Sequence, residues 1–501
     1  MAREEAALAS SRRLLSPIIA MTMTLAVVYA PIGFLAGLSG VLFREFAFTL
    51  AIAVVISGFV AITLSPIMSA WVCPDKGHET RMTLWVNDRF ERIAEGYGEV
   101  VDFSLRWRRQ LVTGGFFLSL LIVPLYLFSL KELSPIEDTS SIAMIVEAAP
   151  EASMEETVDG FIDAVDVMLS EPAATYIWQS INPGFGFGGQ EFVSPDEREM
   201  TTHELLPAIS EQLKGVPTVT AFPSAQPSLP TAGQYDIEVV VTSSDSLNNM
   251  RHIANTIAGR AMASGLFYFF ESGLKTDLLA VEYQLDKGRL ADLGMTLGDL
   301  TSQMDLLVSE GYVTRYDERG RAYRVIPQLQ QAFKISPEAL LDTPVTLPSG
   351  EQVPFGTFAT LQRNTEPRAL TRFQQKGSFK LFGGVIPGYT KEQALTYVED
   401  LADELLPPGY LMDYTGESRE IRREGNTMVN VLGVSLIMVF LVLALQFDSF
   451  RDPLIILLGS APLALFAAMV ITFTSFTTIN IYSQVGLITL VGLISKNAIL
   501  I

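Results

Sequence analysis

One full charge stands in the apolar run from Gln484 to Ile501, QVGLITLVGLISKNAILI, and it is Lys496. An ammonium in hydrocarbon costs roughly 2.5–3.5 kcal/mol on insertion scales, so such a residue usually faces a bundle interior or a wet cavity. Gly486, Gly492 and Ser495 are small residues beside it that would let a second helix approach closely. A lysine that snorkels to an interface is the plainer alternative, but the apolar or small residues Val485 to Ser495 ahead of it favour the interior position. The chemistry expected there is a charge relay. A buried ammonium needs a counter-charge.

A second candidate is QSINPGFGFGGQEF, in which Gly184, Gly186 and Gly189 formally spell G-x-G-x-x-G. A dinucleotide site needs that motif to open a helix directly after a strand, and no helical pattern begins until about Thr201. Phe185 and Phe187 stand among these glycines, and plain core packing of the rings is one reading of them. Tyr235, Ile237 and Val239 alternate on one strand face, which core packing alone would also explain. His78, His203 and His252 are scattered and make no metal cluster, and the lone Cys73 excludes an internal disulfide. No Ser/His/Asp or metal-ligand constellation sits in register for an enzyme, and Glu155 and Glu156 read as a solvated helix face.

These residues must be positioned by two different materials. The chain of 501 residues is 49% hydrophobic yet carries a net charge of −20, with a positive mean hydropathy of +0.31. The acid excess argues against nucleic-acid binding. Apolar blocks lie at both ends. Pro17–Gly37, Phe46–Val72 and Leu111–Leu130 are each long enough to span a bilayer, as are Met428–Leu445 and Leu454–Phe473, and the run with Lys496 is a sixth, shortened span. No signal peptide is visible, and Ile501 falls inside the last helical pattern, so a fragment is expected. Leu84, Val86, Phe90, Ile93, Tyr97, Val100, Val101 and Phe103 recur at helical spacing, which predicts an amphipathic surface helix near 82–104. Arg12, Arg13, Arg106, Arg108 and Arg109 place that side in the cytoplasm.

From Lys131 to Thr427 nothing could cross a membrane. SIAMIVEAA reads as a strand, and a helix follows with a capping box at Ser153 and Glu156 and a stripe of Met154, Val158, Phe161, Ile162, Val165 and Met168. TYIWQSI is the next strand. The pattern returns in QYDIEVVVTS, SLNNMRHIANTIAGRAMA and GLFYFF, then in SFKLFGGV and KEQALTYVEDLADELL. Repeated β-α-β units predict ferredoxin-like split βαβ subdomains. Residues 279–371 have a different texture and read as an inserted domain with a hairpin.

GVLFREFAFTLAIAVVISGFVAITLSPIMSAWV resembles the sixth helix of the hydrophobe/amphiphile efflux branch of the resistance–nodulation–division superfamily. LDKGRLADLGMTLGDLTSQMDLLVSEGYV with DERGRAYRV resembles its docking domain, YTGESREIRREG the lead into its eighth helix, and VGLITLVGLISKNAIL its tenth. The resemblance covers essentially the whole chain, as helices five to ten plus the second periplasmic loop. It implies a polytopic α-helical membrane protein with a large α+β periplasmic insert. Residues 1–130 and 428–501 would be membrane helices, 131–230 the first porter subdomain, 231–278 with 372–427 the second, and 279–371 the docking domain.

By the same resemblance the chain is part of a homotrimeric inner-membrane pump, not an enzyme. It would need no cofactor, draw on the proton gradient, and work in the lipid bilayer with a periplasmic adaptor and an outer-membrane channel. Lys496 falls where the family's tenth-helix lysine pairs with two helix-four aspartates, which this chain lacks. Phe185 and Phe187 fall on the family's switch loop, Phe192 at a pocket-lining position, and Tyr235, Ile237 and Val239 at its entrance cleft. Phe270 stands where better-known members carry a basic residue, which implies a more apolar cleft, and Gly188 to Thr202 is shorter than usual. Heavy-metal efflux within the superfamily would use methionine pairs as soft ligands, and Met144, Met168, Met200 and Met250 show no close pairing in sequence. A non-transporting membrane scaffold is the remaining alternative.

Overall fold

The computed structural model describes residues 3–72, 81–231, 233–308, 311–330, 336–424, 427–474 and 476–500; Cys73 and His78 lie outside them. Two long apolar helices come first, α1 (Arg3–Gly33) and α2 (Gly37–Val72), packed along each other. The tight turn between them uses Gly37 at φ +76°, a left-handed conformation that costs glycine little. The amphipathic α3 (Arg81–Arg106) follows, with Phe90, Ile93, Tyr97, Val100 and Phe103 all exposed on it. The third span is broken at Leu121 into α4 (Arg108–Leu120) and α5 (Ile122–Phe128).

The sheet-rich block opens with β1 (Ser141–Ala148), α6 (Met154–Leu169), β2 (Ala174–Asn182), β3 (Phe185–Phe192), α7 (Thr202–Leu213) and β4 (Val219–Ala225). Its four-stranded antiparallel sheet has the order β2-β3-β1-β4. Ser153 caps α6 by accepting from the Glu156 amide, but the Glu156 side chain does not reach back, so the capping box is half made. The buried face of α6 is Thr157, Gly160, Phe161, Ala164 and Met168, while Met154 and Ile162 of the expected stripe are exposed. Phe161 and Met168 of that stripe pack inward together with the small residues Thr157, Gly160 and Ala164.

The second unit runs β5 (Ile237–Ser243), α8 (Leu247–Ala263) and β6 (Phe267–Ser272). It is interrupted by β7 (Leu278–Leu285), α9 (Lys287–Asp292), α10 (Leu297–Val308), the hairpin β8 (Thr314–Glu318) and β9 (Arg321–Val325), α11 (Pro337–Leu341), the hairpin β10 (Pro344–Thr346) and β11 (Gln352–Pro354), and β12 (Ala359–Glu366). β7 pairs antiparallel with β12, so the insert leaves and returns on neighbouring strands. It has its own core around Leu300, Val345 and Phe358. The unit then resumes with β13 (Arg372–Phe373), β14 (Lys376–Val385), α12 (Lys391–Leu405) and β15 (Leu411–Tyr414). β14 pairs with both β5 and β6, and β15 with β5, which repeats the strand order of the first unit.

The chain returns through α13 (Gly416–Glu424) to the apolar helices α14 (Thr427–Phe447), α15 (Arg451–Phe473) and α16 (Ile481–Leu500). Among the described residues five helical stretches are long and apolar enough to cross a membrane, and Ile481–Lys496 is a shorter apolar one. Three backbone hydrogen bonds strap the start of α16 to the exit of α5: Ile479 to Leu130 at 2.8 Å, Glu132 to Ile479 at 3.1 Å and Ile481 to Leu133 at 3.1 Å.

Candidate functional site

Lys496 lies on α16, half-buried, and lines a cavity of about 190 Å³ with Met21, Thr22 and Leu25 of α1 and Val54, Ser57 and Gly58 of α2. No carboxylate of the described residues comes within ion-pairing distance of it. The small residues expected to admit a neighbouring helix divide. A Cβ on Gly492 would come within 2.9 Å of the Val28 side chain, so α1 and α16 touch there, whereas Gly486 faces open space. Ser495 is buried and returns its hydroxyl to the Val491 carbonyl at 2.7 Å.

The glycine–phenylalanine run corrects the loop expected there. Phe185 to Phe192 is strand β3, and the hinge shrinks to one turn residue, Gly184 at φ +76°. Its glycines serve close packing: a Cβ on Gly186 would press on the Phe161 ring and come within 2.7 Å of the Ser180 carbonyl. Alternation along the strand then leaves Phe185 and Phe187 outward, each 44% exposed, beside Trp178, whose ring meets Phe187 edge-on at 6.1 Å. With Tyr176 they form an exposed aromatic face on the β2–β3 hairpin. Phe192 is not part of it. That ring is buried in the first unit's core with the Arg198 guanidinium 6.0 Å from its centre.

Ile237 and Val239, expected at an entrance, are 0% exposed. β5 is an inner strand between β14 and β15, and both side chains pack in the core that α8 and α12 complete. They offer no surface to a substrate. Tyr235 precedes the strand and turns elsewhere, stacking on Phe382 at 4.6 Å in an aromatic seam with Phe222 and Phe269 that joins the two units. Phe270 is likewise buried.

Behind the seam lies an ionic network that no sequence pattern announced. Lys391 in the first turn of α12 meets Asp236 at 3.0 Å and Glu417 at 2.6 Å. Burial alone would pull its ammonium down, but the two carboxylates outweigh that and hold it above its ordinary value. Burial raises Glu417, and Lys391 offsets part of the effect. Asp236 also accepts from the Val385 amide at 2.9 Å, and neighbouring Glu238 pairs with Lys380 at 2.7 Å. His203 of α7 faces this cluster with both ring nitrogens buried and unpartnered among the described residues, and burial depresses its imidazole. Carboxylates and lysine come from segments far apart in sequence, so only the fold reveals them.

The long apolar helices, carrying a sheet-rich insert, describe a multi-pass membrane protein. The chain belongs to the AcrB/AcrD/AcrF family, whose model matches residues 1–501. It is 30% identical to an uncharacterized transporter of Haemophilus influenzae, over 99% of this chain and 49% of that protein. It is 26% identical to the antibiotic efflux pump membrane transporter ArpB of Pseudomonas putida, over 99% of the chain and 49% of that protein. The multidrug export protein AcrF of Escherichia coli is also 26% identical, over 99% and 50% respectively. The chain therefore spans about half the length of the curated relatives it matches.

Proposed function

We propose that this chain is part of the inner-membrane subunit of a proton-driven pump that expels hydrophobic and amphiphilic compounds. The observation that carries the reading is Lys496: a cation within an apolar helix, beside a cavity between α1, α2 and α16, in a chain whose relatives are named efflux transporters. Carboxylates supplied by the remainder of the transporter would hold it, and their protonation would free α16 to shift against α1. In this reading residues 131–230 and 231–278 with 372–427 are two ferredoxin-like porter subdomains on the periplasmic side, supported by their shared strand order. Residues 279–371 are the docking domain. The assembly is a homotrimer working with an adaptor and an outer-membrane channel. Phe185 and Phe187, on the exposed hairpin face, are the substrate-contacting residues.

The test is drug and metal susceptibility of a pump-deficient Gram-negative host that expresses the full-length parent with its adaptor. Wild type should protect against dyes, detergents or antibiotics, and Lys496→Met at matched membrane levels should not. Protection that survives the substitution would remove Lys496 from the relay. Protection against copper or silver alone would move the substrate class to metal ions.

A further inference from the structure

The start of α16 is tied to the second sheet unit in three ways. The backbone tie is the strap between Leu130–Leu133 and Ile479–Ile481: the Ile479 amide donates to the Leu130 carbonyl, the Glu132 amide to the Ile479 carbonyl and the Ile481 amide to the Leu133 carbonyl. The apolar tie is a shared core. Leu133 and Ile481 are buried in the same cluster as Ile237 and Val239 of β5 and Ile421 of α13. The polar tie is Glu132, whose carboxylate accepts from the Thr478 hydroxyl.

The polar tie reaches into α16 itself. Asn480 is buried and accepts from the Tyr482 and Ser483 amides at 3.0 Å, while the Ser483 hydroxyl accepts from the Asn480 amide at 2.8 Å. That is a reciprocal cap on the helix N-terminus. The Asn480 side-chain amide donates to the Thr478 hydroxyl at 3.0 Å, and that hydroxyl in turn donates to Glu132. On its other side Glu132 shares a cavity with Glu392 of α12 and Arg422 of α13. It also feels the buried ionic network: burial raises its carboxyl, the Thr478 bond and then the Lys391 ammonium lower it, and Glu417 raises it again. Lys496 lies on the same helix as the cap, about 22 Å along the rod from Ile481. A shift of α16 at the lysine therefore moves its capped end, and a tie at that end passes the motion on.

We infer that Glu132 and Thr478 are positioning residues that clasp the capped start of α16 to the second sheet unit, so that helix and unit move as one body. The apolar tie fixes where the two meet but resists sliding poorly, because dispersion and burial have no direction. A hydroxyl donating to a carboxylate is directional and stronger than a neutral hydrogen bond, so it holds the register of the contact. The inference rests on the proton-driven reading for the source of the displacement, whereas the clasp itself requires no transport.

The experiment uses the full-length transporter and reads the clasp in two ways. Amide hydrogen exchange in nanodiscs reports opening of the strap. Thr478→Val should speed exchange at the Glu132, Ile479 and Ile481 amides together, about 10-fold for one lost charge-assisted hydrogen bond, and Thr478→Ser, which keeps the hydroxyl, should not. In proteoliposomes under an imposed pH gradient, ethidium and proton fluxes are then measured side by side. Thr478→Val and Glu132→Ala should each lower the ethidium moved per proton about 5- to 10-fold, with no further loss in the double variant, and Thr478→Ser should keep the wild-type ratio. A merely structural role would lower both fluxes in proportion to folded protein, and its losses would add in the double variant. Thr478→Val is nearly isosteric and supplies the test should Glu132→Ala fail to fold. Unchanged exchange in a folded Thr478→Val, or an unchanged ratio of ethidium to protons, would overturn the clasp. A wild type that moves no ethidium would remove the efflux reading, and hydrogen exchange would still decide the clasp, so the two failures are distinguishable.

Discussion

The two β-α-β-β-α-β units share a strand order and differ in what they leave open. In the first, the β2–β3 hairpin carries Tyr176, Trp178, Phe185 and Phe187 on an exposed face, well beyond the scattered apolar residues of an ordinary surface. In the second, β5 has no exposed residue, and its flank is sealed by Lys391, Asp236 and Glu417. The second unit also gives up its short connection between β6 and β14 to an insert with a core of its own. One topology thus serves as a presenting surface in one copy and as a rigid mount in the other. The difference lies in side chains and in one connection, not in the backbone plan.

Removing the seal should break the comparison most severely. Lys391→Met leaves Asp236 and Glu417 as buried carboxylates without their cation, a loss of about 3–5 kcal/mol. Thermal or denaturant unfolding of the detergent-solubilised protein should show it, and a change under 1 kcal/mol would mean that water compensates the site. Gly186→Ala acts on the first unit instead. The added methyl has no room between Phe161 and the Ser180 carbonyl, so about 1–3 kcal/mol of overpacking strain is expected in the same measurement. Phe185→Ala with Phe187→Ala should have the smallest effect on stability, roughly 0.5 kcal/mol or less for each exposed ring. The pair should nonetheless narrow the range of compounds against which the full-length pump protects. A large stability loss with an unchanged range would recast the hairpin as structural.

Much of the architecture was legible because it rests on periodic burial. The spans, the amphipathic helix, strands β1, β2, β5, β6 and β14 and helices α6, α8 and α12 followed from apolar spacing, whereas β3, β4 and β15 did not. The candidate site was legible only in part. Phe185 and Phe187 are exposed rings, but they stand on a strand and not on the hinged loop that the resemblance implied. Glycine in a strand can mean freedom or crowding, and only the Phe161 ring behind Gly186 decides for crowding. Ile237 and Val239 alternate as an exposed or a buried face would, and the covering helices α8 and α12 decide for burial.

The sequence by itself determined where this protein meets apolar surroundings and that a lysine must be accommodated there, because hydrophobic spacing and the cost of a desolvated charge are local properties. The tertiary structure decided which charges find partners. Lys391 reaches Asp236 and Glu417 across long stretches of chain, while the ring nitrogens of His203 stay unpartnered among the described residues. Electrostatic pairing depends on distances of a few ångströms in a low-dielectric interior, and such distances exist only after the chain has folded.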